Sequence, residues 1–96
     1  MGTVFYIKFT LKTSFGFESF GQIYIGNDRS FANNIFSELK GSAEISEANL
    51  LQLDFMETKN GLPVNLKVIR CTLNEMADNC RIITKELFKN FNLISR

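Results

Sequence analysis

The chain has 96 residues, a net charge of +1 and 45% hydrophobic residues. This length suits a single domain spanning residues 1–96, and this composition is that of a folded protein rather than a disordered one. The near-balanced charge gives no reason to expect a polyanion as partner, although it does not exclude a local basic patch. No apolar run approaches the roughly 20 residues that cross a bilayer, and no targeting segment is visible. We therefore expect a cytoplasmic protein with no membrane partner.

The residues that usually carry catalysis or hold metals are scarce. The chain has no histidine, which removes the commonest general base and the commonest transition-metal ligand. Cys71 and Cys80 form no CxxC pair, and we expect both to be small buried hydrophobic residues. No glycine-rich phosphate-binding motif is present. The sequence thus predicts no catalytic residue, no metal site and no cofactor, and it favours a protein that is not an enzyme.

A hairpin is predicted at the start of the chain. Four apolar residues alternate with polar or aromatic ones over residues 4–12, which is typical of a strand with one buried face. A three-residue turn at residues 14–16 leads to a second strand that ends near Ile25, with Phe17 facing the core. Such a turn predicts that Ile7 pairs with Ile23 and Phe5 with Ile25. The alternating core residues of the first strand are Phe5, Ile7, Phe9 and Leu11.

A helix is predicted to follow the first hairpin. Asn27 or Asp28 can cap its N-terminus. Phe31, Ile35 and Leu39 recur at helical spacing, and Gly41 is a suitable stop. The small and acidic residues of segment 40–50 predict a linker.

The second hairpin has the strongest turn signal in the chain. Asn60-Gly61 favours a type I′ turn, because that turn needs positive φ at both central residues. A two-residue turn there predicts that Phe55 pairs with Leu66 and that Leu53 pairs with Val68. Strict alternation would then place Arg70 on the core face. The same alternation turns three side chains away from the core: Asn65, Lys67 and Ile69.

The second helix has a clear start signal. Thr72 and Glu75 form a capping box, in which each side chain bonds the other residue's backbone N–H. Apolar residues then continue along one side of the predicted helix. That stripe consists of Leu73, Met76, Ala77, Cys80, Ile83, Leu87 and Phe91.

The two halves of the chain resemble each other at an offset of 45 or 46 residues. Residues 3–41 and 50–94 both read as strand, strand, helix, which predicts an α+β fold made of a duplicated ββα unit. Pro63 cannot donate to a ladder, so the fourth strand belongs at an edge. We therefore favour a mainly antiparallel four-stranded sheet of order 2-1-3-4, with both helices packed on one face as a two-layer sandwich.

The sheet face away from the helices is the predicted binding surface. Aromatic and apolar residues on such a face favour a contact with a second copy, giving a homodimer, or with another protein. A single-stranded nucleic acid stacking on this face is an alternative, and a small molecule bound between sheet and helices is another. The predicted binding residues are Tyr6, Lys8, Lys12, Phe20, Tyr24, Lys67 and Ile69.

Two groups of residues each allow two interpretations. Phe36, Ile82 and Phe88 lie off the main helical stripes, so they either pack between the helices or contact another chain. Arg29 and Arg70 either bind an anion together, or Arg70 simply extends its charged end into solvent.

Overall fold

The computed structural model describes residues 3–42 and 49–94. Most of the predicted linker, residues 43–48, and the side chain of Phe91 lie outside the described part. The elements follow the predicted order: β1 (Val4–Thr13), β2 (Gly16–Gly26), α1 (Arg29–Glu38), β3 (Leu51–Lys59), β4 (Leu62–Cys71) and α2 (Leu73–Ile94).

The four strands form one sheet of order β2-β1-β3-β4, and every neighbouring pair is antiparallel. This confirms the predicted α+β class and strand order. Pro63 lies on β4, at an edge of the sheet, where its missing N–H costs no interior ladder bond.

Both helices pack on the same face of the sheet. We call this the helix face; it carries Phe5, Ile7 and Phe9 of β1, and their alternation with Tyr6 and Lys8 defines the opposite, open face. The core joins the helix face to apolar residues of both helices, and the rings of Phe36 and Phe55 stack with centroids 5.0 Å apart. Its buried helical members are Ala32, Ile35, Phe36, Met76 and Ile83.

The predicted start signals are present. Asp28 caps α1 by accepting from the backbone N–H of Phe31 at 3.2 Å. Thr72 and Glu75 form the capping box, with both reciprocal bonds made. Asn60 and Gly61 adopt φ angles of 53° and 79°, as a type I′ turn requires. The first helix ends at Glu38 rather than at Gly41, because Leu39 is already extended.

A β-bulge in β4 overturns the predicted pairing of the second hairpin. The ladder follows the expected register from Lys59 and Leu62 inward, but it shifts by one residue between Phe55 and Met56. Phe55 therefore pairs with Lys67 rather than Leu66, and Leu53 pairs with Ile69. One inserted residue reverses the facing of every residue beyond it.

The first hairpin reaches the predicted Ile7–Ile23 pair by a different route. Gly16 pairs with Thr13, so the turn has two residues instead of three. A bulge opposite Phe9 and Thr10 adds one residue to β2, which compensates for the shorter turn and brings Ile7 opposite Ile23. A second irregularity places Gly26 rather than Ile25 opposite Phe5. The bulge reverses Phe17, which lies on the open face instead of the core face.

The buried side of α2 also differs from the predicted stripe. Met76 and Ile83 are buried, whereas Leu73, Ala77 and Cys80 are exposed. The centre of the buried side is Asn79, a polar residue whose side chain hydrogen-bonds the backbone of Lys40 just beyond α1.

The two halves share their element order but differ in detail. One hairpin has two irregularities in its ladder and the other has one. The first helix has 10 residues and the second has 22. The internal duplication therefore stays a prediction.

Candidate interaction surface

The open face carries polar side chains at its centre and aromatic side chains along β2. Cross-strand partners share a face of the sheet, so the register defines which residues lie together. Tyr6 lies between Tyr24 and Met56, and Lys8 lies between Gln22 and Asp54. A further row runs from Ser19 through Thr10 and Gln52 to Arg70, and Phe17 lies beside Lys12.

Four of the seven predicted binding residues share the open face: Tyr6, Lys8, Lys12 and Tyr24. Tyr6 is nevertheless covered, because the ring of Tyr24 lies 5.6 Å from its own ring. Asp54 is also buried, and its carboxylate accepts from the side-chain amide of Gln52 at 3.0 Å. The middle of this face thus has less free surface than the sequence predicts.

The other three predicted residues lie on the helix face. Lys67 and Ile69 pair with the core residues Phe55 and Leu53, and Ile69 packs against the core. Phe20 stacks on the buried ring of Phe9 at 5.8 Å. Their predicted placement on the open face is wrong because of the two bulges, each of which shifts the alternation by one residue.

Exposed aromatic side chains concentrate on one edge strand and its turn. Phe15, Phe17, Phe20 and Tyr24 are all more than half exposed; we call these four residues the β2 aromatic cluster. Sequence reasoning missed Phe17, since only the bulge turns it outward. The exposure of Phe15 has a clear signal in the sequence, namely its position inside the tight turn.

The two arginines proposed to bind an anion together lie far apart in the fold. Arg29 lies over the ring of Phe5 and donates to the carboxylate of Glu57 at 2.8 Å. Arg70 pairs with Gln52 on the open face, near the other end of the strands. The structure therefore does not bring Arg29 and Arg70 together, and the expected core-face position of Arg70 is also wrong.

The two thiols have different environments. Burial, followed by the nearby carboxylate of Glu75, raises the pKa of the Cys71 thiol from 9.0 to about 11, which makes it a poor nucleophile at neutral pH. Cys80 is exposed, so the predicted burial holds for Cys71 and not for Cys80. Close by, a hydrogen bond from Lys40 lowers the pKa of the Asp78 carboxyl.

The three residues that lie off the predicted helical stripes differ in their burial. Phe36 is buried in the core, Ile82 is half-buried and Phe88 is exposed. Phe88 lines a shallow apolar depression on α2 together with Cys80 and Thr84.

Within residues 3–42 and 49–94, no three His, Cys, Asp or Glu side chains are grouped so that they could hold a metal ion. In the same part of the chain, neither helix has the length and hydrophobicity needed to span a bilayer. No family model, curated protein or solved structure matches this chain.

Proposed function

We propose that this chain is a small, non-catalytic interaction protein that self-associates through the surface around β2. The observation that carries the proposal is the β2 aromatic cluster: four large aromatic side chains stay more than half exposed within ten consecutive residues. Large aromatic residues are enriched at protein contacts and supply most of their binding energy. Exposed apolar surface of this extent along one edge strand is typical of an interaction site.

The chemistry of the open face supports a protein contact more than catalysis. Its covered carboxylate, Asp54, is held by Gln52 beside Lys8. Lys8 and Lys12 flank the aromatic side chains on the neighbouring strand, as charged residues flank the apolar centre of a typical interface.

Light scattering across a concentration series tests the proposal. The chain should approach about twice its 11.0 kDa mass as concentration rises. Tyr24→Lys should raise the dissociation constant at least about tenfold, because it places a charge in the contact. Phe88→Lys is the control, since Phe88 is a similarly exposed aromatic residue on α2. A wild-type chain that stays monomeric at millimolar concentration would exclude self-association.

Single-stranded nucleic acid is a second candidate partner. One observation favours it: Phe17 lies beside Lys12, and Tyr24 lies one row from Lys8, on the open face. Exposed rings interleaved with lysines are the usual platform for stacked bases. Fluorescence anisotropy with a labelled oligonucleotide at low salt tests this candidate. Binding that weakens with salt and is lost in Tyr24→Ala would support it, and no binding at low salt would exclude it.

A further inference from the structure

We propose that β2 pairs edge to edge with β2 of a second copy, in antiparallel orientation, to form a continuous eight-stranded sheet. This inference rests on the proposed self-association and specifies its partner and geometry. An edge strand presents a row of backbone N–H and C=O groups that another strand can use. The sheet has two such edges, and their side chains differ.

The edge at β4 carries several features that discourage pairing. Ser42 already pairs with Arg70 there, through two backbone hydrogen bonds of 2.7 and 2.9 Å. Pro63 removes one donor and Lys67 adds a charge; bulges occur in both edge strands and do not distinguish them. Proline and lysine are among the devices by which natural proteins protect edges.

The edge at β2 is longer and almost uncharged. β2 has eleven residues, of which Glu18 alone carries a formal charge. It lacks the proline, the lysine and, among the described residues, the bridging residue that protect β4, so β2 is the edge more open to pairing. Glu18 lies near one end of the strand, so antiparallel pairing keeps the two copies of its carboxylate roughly 17 Å apart at about 3.3 Å per residue. That separation exceeds the screening length of physiological salt, so the charges do not oppose the pairing.

The side chains of β2 face the sheet in a self-complementary order. At the bulge, two consecutive residues, Phe20 and Gly21, both lie on the helix face. The alternation of faces therefore reverses there. As a result, the order of open-face and helix-face residues over 17–24 is the same from either end of the segment. An antiparallel copy centred between Phe20 and Gly21 therefore brings like-facing residues together along the whole segment. On the open face the members are Phe17, Ser19, Gln22 and Tyr24; on the helix face they are Glu18, Phe20, Gly21 and Ile23.

This register gives the exposed rings partners. Phe17 of each copy lies opposite Tyr24 of the other on the open face, and Phe20 lies near the two-fold axis on the helix face. Aromatic cross-strand pairs are among the more stabilising ones. The pairing also explains why rings project from both faces of a single strand, which a contact through the open face alone would not require.

Disulfide cross-linking tests the register. In this arrangement Ser19 lies opposite Gln22 of the second copy, with Cα atoms about 5 Å apart, within the range that a disulfide spans. Within one chain the same two positions are separated by about 10 Å, too far for a disulfide. The test protein is the full chain carrying Ser19→Cys and Gln22→Cys, with Cys80→Ser to remove the exposed native thiol.

Mild oxidation should convert most of the double variant into a covalent dimer on a non-reducing gel. A one-to-one mixture of the single variants should also cross-link, whereas either single variant alone should not, because like positions of the two copies lie about 10 Å apart. The mixture guards against a double variant that folds poorly.

The outcomes separate the two proposals. If light scattering shows a dimer but neither the double variant nor the mixture cross-links, edge pairing is wrong and self-association stands. Equal cross-linking of single and double variants, which indicates random collision, also overturns edge pairing. A chain that is monomeric by light scattering overturns both proposals.

Discussion

The side-chain amide of Asn79 binds both backbone polar groups of Lys40. Its oxygen accepts from the Lys40 N–H at 2.7 Å, and its nitrogen donates to the Lys40 carbonyl at 2.9 Å. Asn79 is completely buried. This pair of bonds satisfies the backbone just beyond α1 and fixes α2 against it, which is where an apolar stripe would otherwise be expected.

Asn79→Ala should therefore lower the free energy of unfolding by about 2–4 kcal/mol, because it leaves a buried donor and acceptor without a partner. Urea denaturation measures the change. Asp78→Ala is the matched control: Asp78 contacts the Lys40 ammonium at the surface, so its loss should change stability little. Equal effects of the two substitutions would contradict the role given to Asn79.

Gly41 should tolerate no side chain. Its φ is +155°, and a Cβ atom would lie 2.6 Å from the carbonyl oxygen of Arg70, so the bridge between Ser42 and β4 would have to open. Gly41→Ala should cost about 1–3 kcal/mol. Gly21→Ala is the control, because the space around Gly21 is open and its φ is ordinary. Thermal unfolding of both variants distinguishes local strain from a general effect of losing a glycine.

Arg29 and Glu57 should be coupled more strongly than a surface ion pair. The carboxylate of Glu57 is almost covered, whereas the side chain of Arg29 is largely exposed. Solvent therefore screens the charge of Arg29 more than that of Glu57. A double-mutant cycle with Arg29→Ala and Glu57→Ala should give a coupling of about 1 kcal/mol. The pair Lys89 and Glu86, 3.6 Å apart on α2, should give less than about 0.5 kcal/mol. Comparable couplings would contradict the argument.

The thiols should react in sequence. A neutral disulfide reagent should modify Cys80 in the folded chain, whereas Cys71 should react only after unfolding, because it is buried and its pKa is raised to about 11. Because folding raises this pKa, the Cys71 thiol ionises at a lower pH in the unfolded chain than in the folded chain. The stability contributed by Cys71 is therefore complete below pH 9 and is lost as pH rises toward 11.

A comparison of the wild type with Cys71→Ala isolates this effect from other groups that titrate in the same range. The difference in urea midpoint between the two proteins should shrink above pH 9. A difference that stays constant up to pH 10.5 would contradict the pKa shift.

The sequence predicts the sheet well where local chemistry decides the outcome. The type I′ turn at Asn60-Gly61, the cap at Asp28 and the capping box at Thr72 each follow from the residues present. The strand order follows from Pro63 and from the way two hairpins and a helix connect. These features depend on short-range steric and hydrogen-bonding preferences, which a single sequence displays directly.

The facing of residues beyond a bulge could not be predicted in the same way. In β4, Val68 and Ile69 are both apolar, so either register places an apolar side chain on the core face, and the periodicity does not reveal the inserted residue. In β2, Phe17 and Phe20 exchange faces for the same reason. Three of the seven predicted binding residues consequently lie on the helix face, while Phe17 was not predicted to belong to the candidate surface.

The bridge that Ser42 makes with Arg70 also bears on the size of any assembly. A sheet that could accept a new strand at both edges would add chain after chain and grow into a fibre. Here the β4 edge is occupied near Arg70 and lacks a backbone donor at Pro63, so the proposed strand addition would take place at β2. In the proposed dimer, both β2 edges would be paired, and only the two protected β4 edges would stay exposed. A few residues on β4 would therefore limit the proposed assembly to two chains, although they lie at the opposite side of the sheet from the contact.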